Sequence, residues 1–217
     1  MIFISILLLT LSYFYGCFST ARILTKSARS LNIYKVGSGF ADTENIYSNV
    51  SKPLGVLVGA LDVVKSYAYL YFMKTVLIFF DKMQTPSDLS MLYSDNMMML
   101  YGLMMLVGHC LPLTNKLRGG RGIFTYMGFI LFMSFFPMLI TMLLALLVVF
   151  IFRQIRFAQY IIVLLPMVFT QLLDALNKFI PLIPVHNLGA AFSSKLLGLA
   201  IAMGILNFIV SKKLGEF

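Results

Sequence analysis

Between Arg121 and Arg153 the chain runs for 31 residues without one formally charged side chain. A bilayer core about 30 Å thick is spanned by roughly 20 apolar residues of helix. One straight helix of 31 residues would reach about 46 Å, too long for a single crossing without a break. Other uncharged stretches recur along the chain, at 1–21, 96–115, 157–173 and 196–211. Hydrophobic residues make up 60% of the 217 positions, and the mean hydropathy is +0.91. A water-soluble domain of this size has no use for so much apolar surface. The pattern is that of an all-α polytopic membrane protein, read as one domain over 1–217.

Orientation follows from the charges between the apolar runs. Residues 1–21 are uncharged and are followed by Arg22, Lys26 and Arg29. A cleaved leader carries its positive charge in front of the apolar run, so this is read as a retained first helix with its N-terminus outside. The 22–52 loop holds five basic residues against two acidic ones, which assigns it to the cytoplasm. Its VGSGFADTENIYSN stretch favours turns over helix. Pro53 opens a second span to about Phe80, with Asp62 and Lys65 on one face and placed to pair. Asp81, Asp88 and Asp95 against Lys82 mark an outer loop. The third span, 96–114, is rich in methionine, read as core filler or lipid-facing side chains.

A break near Pro137 divides 122–152 into two short crossings and keeps Arg153 and Arg156 inside. Residues 157–176 cross outward, 178–187 connect outside, and 188–210 return. The expectation is a bundle of about seven transmembrane helices, some short, with the C-terminus cytoplasmic. The net charge of +9 suits loops facing anionic lipid. No aromatic-and-basic stripe supports a nucleic-acid partner. Cys17 and Cys110 lie in apolar runs and have no metal or disulfide spacing.

The chemistry concentrates in GHCLPLTNKLRGGRGIFT, residues 108–125. Glycines allow successive backbone N–H groups to close on an anion, and Lys116, Arg118 and Arg121 supply positive charge. A phosphate at a membrane surface suits such a turn; a plain basic loop with glycines for the bend is the alternative.

Two motifs together resemble those of the bacterial membrane glycerol-3-phosphate acyltransferases that use acyl phosphate as donor. The family's G-S-G-N-x-G-A-T-N-x-x-R motif is echoed by GSGFADTENIYS, which keeps Gly37, Ser38, Gly39 and Asn45. Its G-H-x-x-P and K-x-K-G-G-K-G-x-x-T pattern is met by Gly108, His109, Pro112, Lys116, Arg118, Gly119, Gly120, Arg121, Gly122 and Thr125. An L-D-x-x-K segment appears as Leu61, Asp62 and Lys65, and SYFYGCFSTA keeps the spacing of an early glycine motif through Gly16.

The resemblance implies transfer of an acyl chain from acyl phosphate to the 1-hydroxyl of glycerol 3-phosphate, giving lysophosphatidic acid for phospholipid synthesis. It implies a multi-pass plasma (inner) membrane protein in contact with membrane lipids, with its active site facing the cytoplasm. No cofactor and no metal is expected. Ser38 and Arg121 would be catalytic. Gly37, Gly39, Asn45, His109, Arg118, Gly119, Gly120, Gly122 and Thr125 would bind the substrates.

Several positions depart from the pattern. Phe40 replaces the family's first Asn, Ser48 its Arg, Arg121 its Lys, and Gly204 the His of a C-terminal H-x-x-N whose Asn would be Asn207. His186 and Asn187 are adjacent and are read as part of an external turn. Asp42 and Glu44 stand where the family has small neutral residues. A carboxylate beside a bound phosphate requires a cation between them, so at least one of the two is expected to pair with a basic residue, Arg121 foremost. The alternative function is a re-purposed, catalytically inactive scaffold that binds lipid or assists assembly.

Overall fold

The structure is a computed structural model and describes residues 2–83, 89–179 and 190–214. Among these residues there are nine α-helices and no strand: α1 Ile2–Gly16, α2 Thr20–Arg29, α3 Thr43–Asn49, α4 Lys52–Lys82, α5 Asp95–Cys110, α6 Ile123–Met133, α7 Phe135–Phe152, α8 Ile155–Phe179 and α9 Ala190–Leu214. Six stretches are long and apolar enough to cross a bilayer, and α6 is a shorter apolar helix. The expected 178–187 connection lies mostly outside the described residues.

The main core is built from one face each of α4 to α9 around Tyr101, Met105, Tyr126, Phe129 and Met138. Met98 and Met105 are fully buried, so two methionines of the third span serve as core filler. Helix α6 is buried on nearly every side, as an all-apolar helix must be when enclosed by others. Large apolar side chains on α1, α7, α8 and α9 point outward, with Phe150 82% exposed. Only lipid makes such a belt tolerable.

Close helix approach locks α1 to α5. A Cβ on Gly16 would lie 2.0 Å from the Met105 carbonyl oxygen, and one on Gly108 would lie 2.0 Å from that of Tyr13. Each helix thus offers a glycine to the other's backbone, the packing that membrane helices use in place of a hydrophobic driving force. Tyr13 fastens the same contact, donating to the Leu111 carbonyl at 2.8 Å and accepting from the Leu113 N–H at 3.0 Å.

Three local expectations change. The first apolar run breaks at 17–19, where Ser19 caps α2 by accepting from the Arg22 N–H. The chain between α6 and α7 breaks at Ser134, three residues before Pro137. Pro137 sits in the first turn of α7, where a missing N–H costs nothing. The stretch expected to form turns also holds α3, because Asp42 caps it and Glu44 lies in its first turn. A small second core of Ala21, Ile33, Ala41, Ile46 and Val58 joins α2, α3 and the start of α4, and it holds this loop in place.

Candidate active site

The first motif is shaped by a single amide. Asn45 donates through Nδ2 to the carbonyls of Val36 and Phe40, both at 2.9 Å. Its Oδ1 accepts from the Ser38 N–H at 3.2 Å and from Asn49 Nδ2 at 3.0 Å. The loop folds tightly enough around it for Gly37 and Gly39 to take positive φ, 54° and 73°. Gly37 and Ser38 are exposed on this loop, whereas Phe40 is buried in the main core. Asn45 therefore acts on the loop's shape, with both ends of its side chain engaged inside the protein.

The second motif is packed against the end of α5. A Cβ on Gly119 would lie 2.0 Å from the His109 carbonyl oxygen, and one on Gly120 would lie 2.8 Å from His109 Nε2. The Gly120 N–H donates to the His109 carbonyl at 3.2 Å. The glycines thus serve close packing as well as the bend, and the Gly120 N–H is already used. Of the N–H groups expected to close on an anion, that of Gly120 is therefore spent inside the protein. Capping at the end of α5 comes from the His109 carbonyl, while its imidazole is buried with Nδ1 unpartnered among the described residues. Gly122, at φ 80°, starts α6, and the buried Thr125 hydroxyl has no partner among the described residues. Arg118 is exposed away from this cluster.

The two motifs meet at Arg121. This buried guanidinium lies with Nε 3.7 Å from Asp42 Oδ2 and 3.8 Å from Glu44 Oε2. The expected pairing is present, and with both carboxylates. Glu44 also reaches across to α8, 3.6 Å from Arg156 Nε and accepting from Gln159 Nε2 at 3.1 Å. These groups surround a cavity of about 30 Å³ that Asp62, His109 and Phe124 also line. One water needs about 10–15 Å³ by the same measure, so this is room for about two.

The Asp62–Lys65 pair is also present at 3.4 Å. Asp62 accepts from the Thr20 hydroxyl, and Lys65 donates to the Phe18 carbonyl at 2.8 Å. The buried charges are thereby tied to the start of α2. Sequence reasoning missed Thr20, Arg156 and Gln159, because contacts 42 to 115 residues apart leave no local pattern. Asn207 spends its amide on the Met203 carbonyl of its own helix at 3.1 Å. His186 and Asn187 lie outside the described residues. No group of three metal-ligating side chains occurs among the described residues.

Burial pushes the Asp42 carboxyl up to about 6, against the opposing pull of the Asn45 N–H and the Arg121 guanidinium. A folded value above the unfolded one means that the folded chain holds the proton more tightly. The resulting stability is full below pH ~4 and is lost as pH rises through about 6. The loss amounts to roughly 3 kcal/mol. Asp42→Asn keeps a capping oxygen and should flatten the slope of thermal stability between pH 4 and 6. An unchanged slope in that variant would assign the titration to another group.

The glycerol-3-phosphate acyltransferase family model matches residues 6–212. A glycerol-3-phosphate acyltransferase of Staphylococcus aureus (strain Newman) is 26% identical over 156 residues, which cover 72% of this chain and 74% of that protein. The crystal structure of PlsY, an integral membrane glycerol 3-phosphate acyltransferase, in its glycerol 3-phosphate form superposes with a TM-score of 0.68 at 21% identity. That superposition covers 96% of this chain and 88% of that one. The lysophosphatidic acid form gives a TM-score of 0.67 at 20% identity. With a family match running almost from end to end of a helical membrane fold, this chain belongs to the glycerol-3-phosphate acyltransferase family.

Proposed function

We propose that this protein transfers an acyl chain from acyl phosphate to the 1-hydroxyl of glycerol 3-phosphate at the cytoplasmic face of the inner membrane. The observation that carries this reading is the convergence of the two motifs, far apart in sequence, on the buried Arg121 guanidinium. Two phosphates held close together need fixed positive charge, and a buried arginine supplies it in fork geometry. In the reaction the glycerol oxygen attacks the acyl carbon and forms the ester C–O bond. The acyl–phosphate bond breaks, and its electron pair leaves with phosphate, which takes up the hydroxyl proton. The donor is already activated, so positioning supplies much of the rate.

Arg121 would bridge phosphate oxygens beside Gly119, Gly120, Gly122 and Thr125, and the exposed Ser38 hydroxyl would orient the acceptor. His109 and Asn45 would hold the two loops in register. Arg118, on the outer side of the turn, would add long-range attraction for anions. Purified protein in lipid nanodiscs should convert acyl phosphate and glycerol 3-phosphate to lysophosphatidic acid, followed by product chromatography. Failure with acyl phosphate across a panel of polyol phosphates would sink the reading.

One observation favours the second reading, an inactive scaffold: Asp42 and Glu44 already neutralise Arg121 around a cavity of only about 30 Å³. Asp42 is fixed as a cap, so Glu44 is the group that must yield to a phosphate. On the enzymatic reading Glu44→Gln should lower KM for glycerol 3-phosphate about 3- to 10-fold, removing an internal competitor worth about 1 kcal/mol. A variant still without activity or phosphate binding supports the scaffold.

The orientation has its own test. Ser48 and Lys82 lie exposed, just before α4 and at its far end. Cysteines introduced there should react with an impermeant thiol reagent from opposite sides of the membrane, Ser48→Cys from the cytoplasm. Labelling of both from outside intact cells would overturn the map.

A further inference from the structure

A second cavity, about ten times larger at about 310 Å³, lies on the other side of His109. Its walls come from the break between α1 and α2, the first turns of α2, Tyr34, and the loop after α5. Arg22 and Lys26 stand one helical turn apart on α2 and both line it, with Ser19, Tyr34 and Asn115. Among its lining residues there is no carboxylate.

That absence sets this cavity apart from the first, which Asp42, Glu44 and Asp62 line. Arg121, Arg156, Lys65 and Lys74 each lie within 4 Å of an aspartate or glutamate. Among the described residues no such pair is formed by Arg22 or Lys26. Two cations on one wall of a concavity repel each other and raise the local concentration of anions. The wall is otherwise rich in hydrogen-bonding groups. Burial raises the Tyr34 hydroxyl above its ordinary range although Arg22 lies beside it, so it stays protonated and able to donate. The start of α2 adds the partial positive charge of a helix N-terminus.

A second, separate observation comes from the facing loop. His109 is buried with Nδ1 unpartnered, and it lines this cavity as well as the small one. Lys116 and Leu117 both take left-handed backbone conformations, at φ 53° and 57°. Two consecutive side-chain-bearing residues in that region are strained, and the loop is held there by Tyr13 and by Lys213, which donates to the Leu117 carbonyl at 3.2 Å.

We infer that the cavity between α2 and the 111–119 loop is a second anion site, which takes a phosphate monoester on Arg22 and Lys26. It shares His109 with the Arg121 cavity but takes its cations, Arg22 and Lys26, from α2. Phe18 and Ile23 line the same cavity and are exposed, 55% and 44%, so an apolar tail has a surface to follow. The phosphate therefore has two possible sources, the headgroup of a lipid monoester or a soluble phosphate.

The test uses the full chain in phosphatidylcholine nanodiscs. One arm adds phosphatidic acid and counts retained lipid by native mass spectrometry. The other measures inorganic phosphate by equilibrium dialysis. The double variant Arg22→Gln/Lys26→Gln, two exposed positions, should weaken binding about tenfold or more in one arm, as expected for two charge-assisted contacts. In an Arg121→Ala/Asp42→Asn background the same double variant should cause the same fold-loss, because Arg121 and Asp42 line the other cavity. Loss in the lipid arm assigns the headgroup, and loss in the dialysis arm assigns soluble phosphate. The variant Arg29→Gln/Lys52→Gln removes the same charge from exposed positions outside the cavity. Wild-type binding by Arg22→Gln/Lys26→Gln in both arms, or an equal loss in Arg29→Gln/Lys52→Gln, overturns the proposal.

Discussion

Arg121→Ala is expected to lower acyl-transfer turnover by roughly 30- to 1000-fold, the effect of losing about 2–4 kcal/mol of transition-state contact. Arg121→Lys should keep much of the activity, because a point charge still faces the phosphate although the bidentate fork is gone. The alanine variant has a second consequence. Asp42 is buried and held at its position by the Asn45 N–H, so removing the guanidinium strands a carboxylate in the interior. Breaking a buried pair on one side costs about 3–5 kcal/mol unless the remaining group takes up a proton. Pairing the change with Asp42→Asn separates the two effects. The double variant should recover thermal stability without recovering turnover. Recovery of both would make Arg121 a structural counter-ion, and full activity in Arg121→Ala alone would refute its role in phosphate binding.

Gly16→Val is expected to remove most of the folded protein. Its Cβ would meet the Met105 carbonyl oxygen at 2.0 Å and the His109 backbone nitrogen at 3.0 Å, contacts with backbone that no rotamer relieves. The helices would have to part, at a cost above the roughly 1–3 kcal/mol of ordinary overpacking. His109 sits on the displaced turn, so cavity and crossing fail together. Gly198, whose added Cβ meets nothing within 4 Å, is the control. Gly198→Ala should express and chromatograph as a single peak like the parent. Similar behaviour by Gly16→Val would show that the α1–α5 crossing tolerates separation.

The spans were legible because insertion depends on summed hydropathy, which a charge-free run of 31 residues states openly. The break falls at Ser134 and not at Pro137 because a proline in the first turn of a helix is an ordinary starter, not a breaker. Helix α3 was hidden by its glycine-rich lead-in, although an Asp cap at 42 with Glu44 in the first turn is a helix-start signal in plain view. The Arg121 pairing was readable from electrostatics alone, since two carboxylates cannot be buried near an intended phosphate without a cation. The reach of Arg156 and Gln159 to Glu44 was not. It depends on how α8 lies against the loop, and no local pattern encodes that. The spent Gly120 N–H was equally invisible, since a glycine pair reads the same whether it binds an anion or packs on a helix end.

The Tyr13 hydroxyl joins groups separated by 98 and 100 residues. A ribosome delivers α1 to the bilayer long before the segment that follows α5 exists. Until then Tyr13 has no lasting partner, and the glycine surface on Gly16 faces lipid or a transient neighbour. The 111–119 loop is therefore a late product of biogenesis, fixed only when half the polypeptide has been threaded. A nascent chain halted before Leu111 should hold α1 loosely. Assembly of the end of this molecule that carries both motifs is set by the order of synthesis as much as by the affinity of its parts.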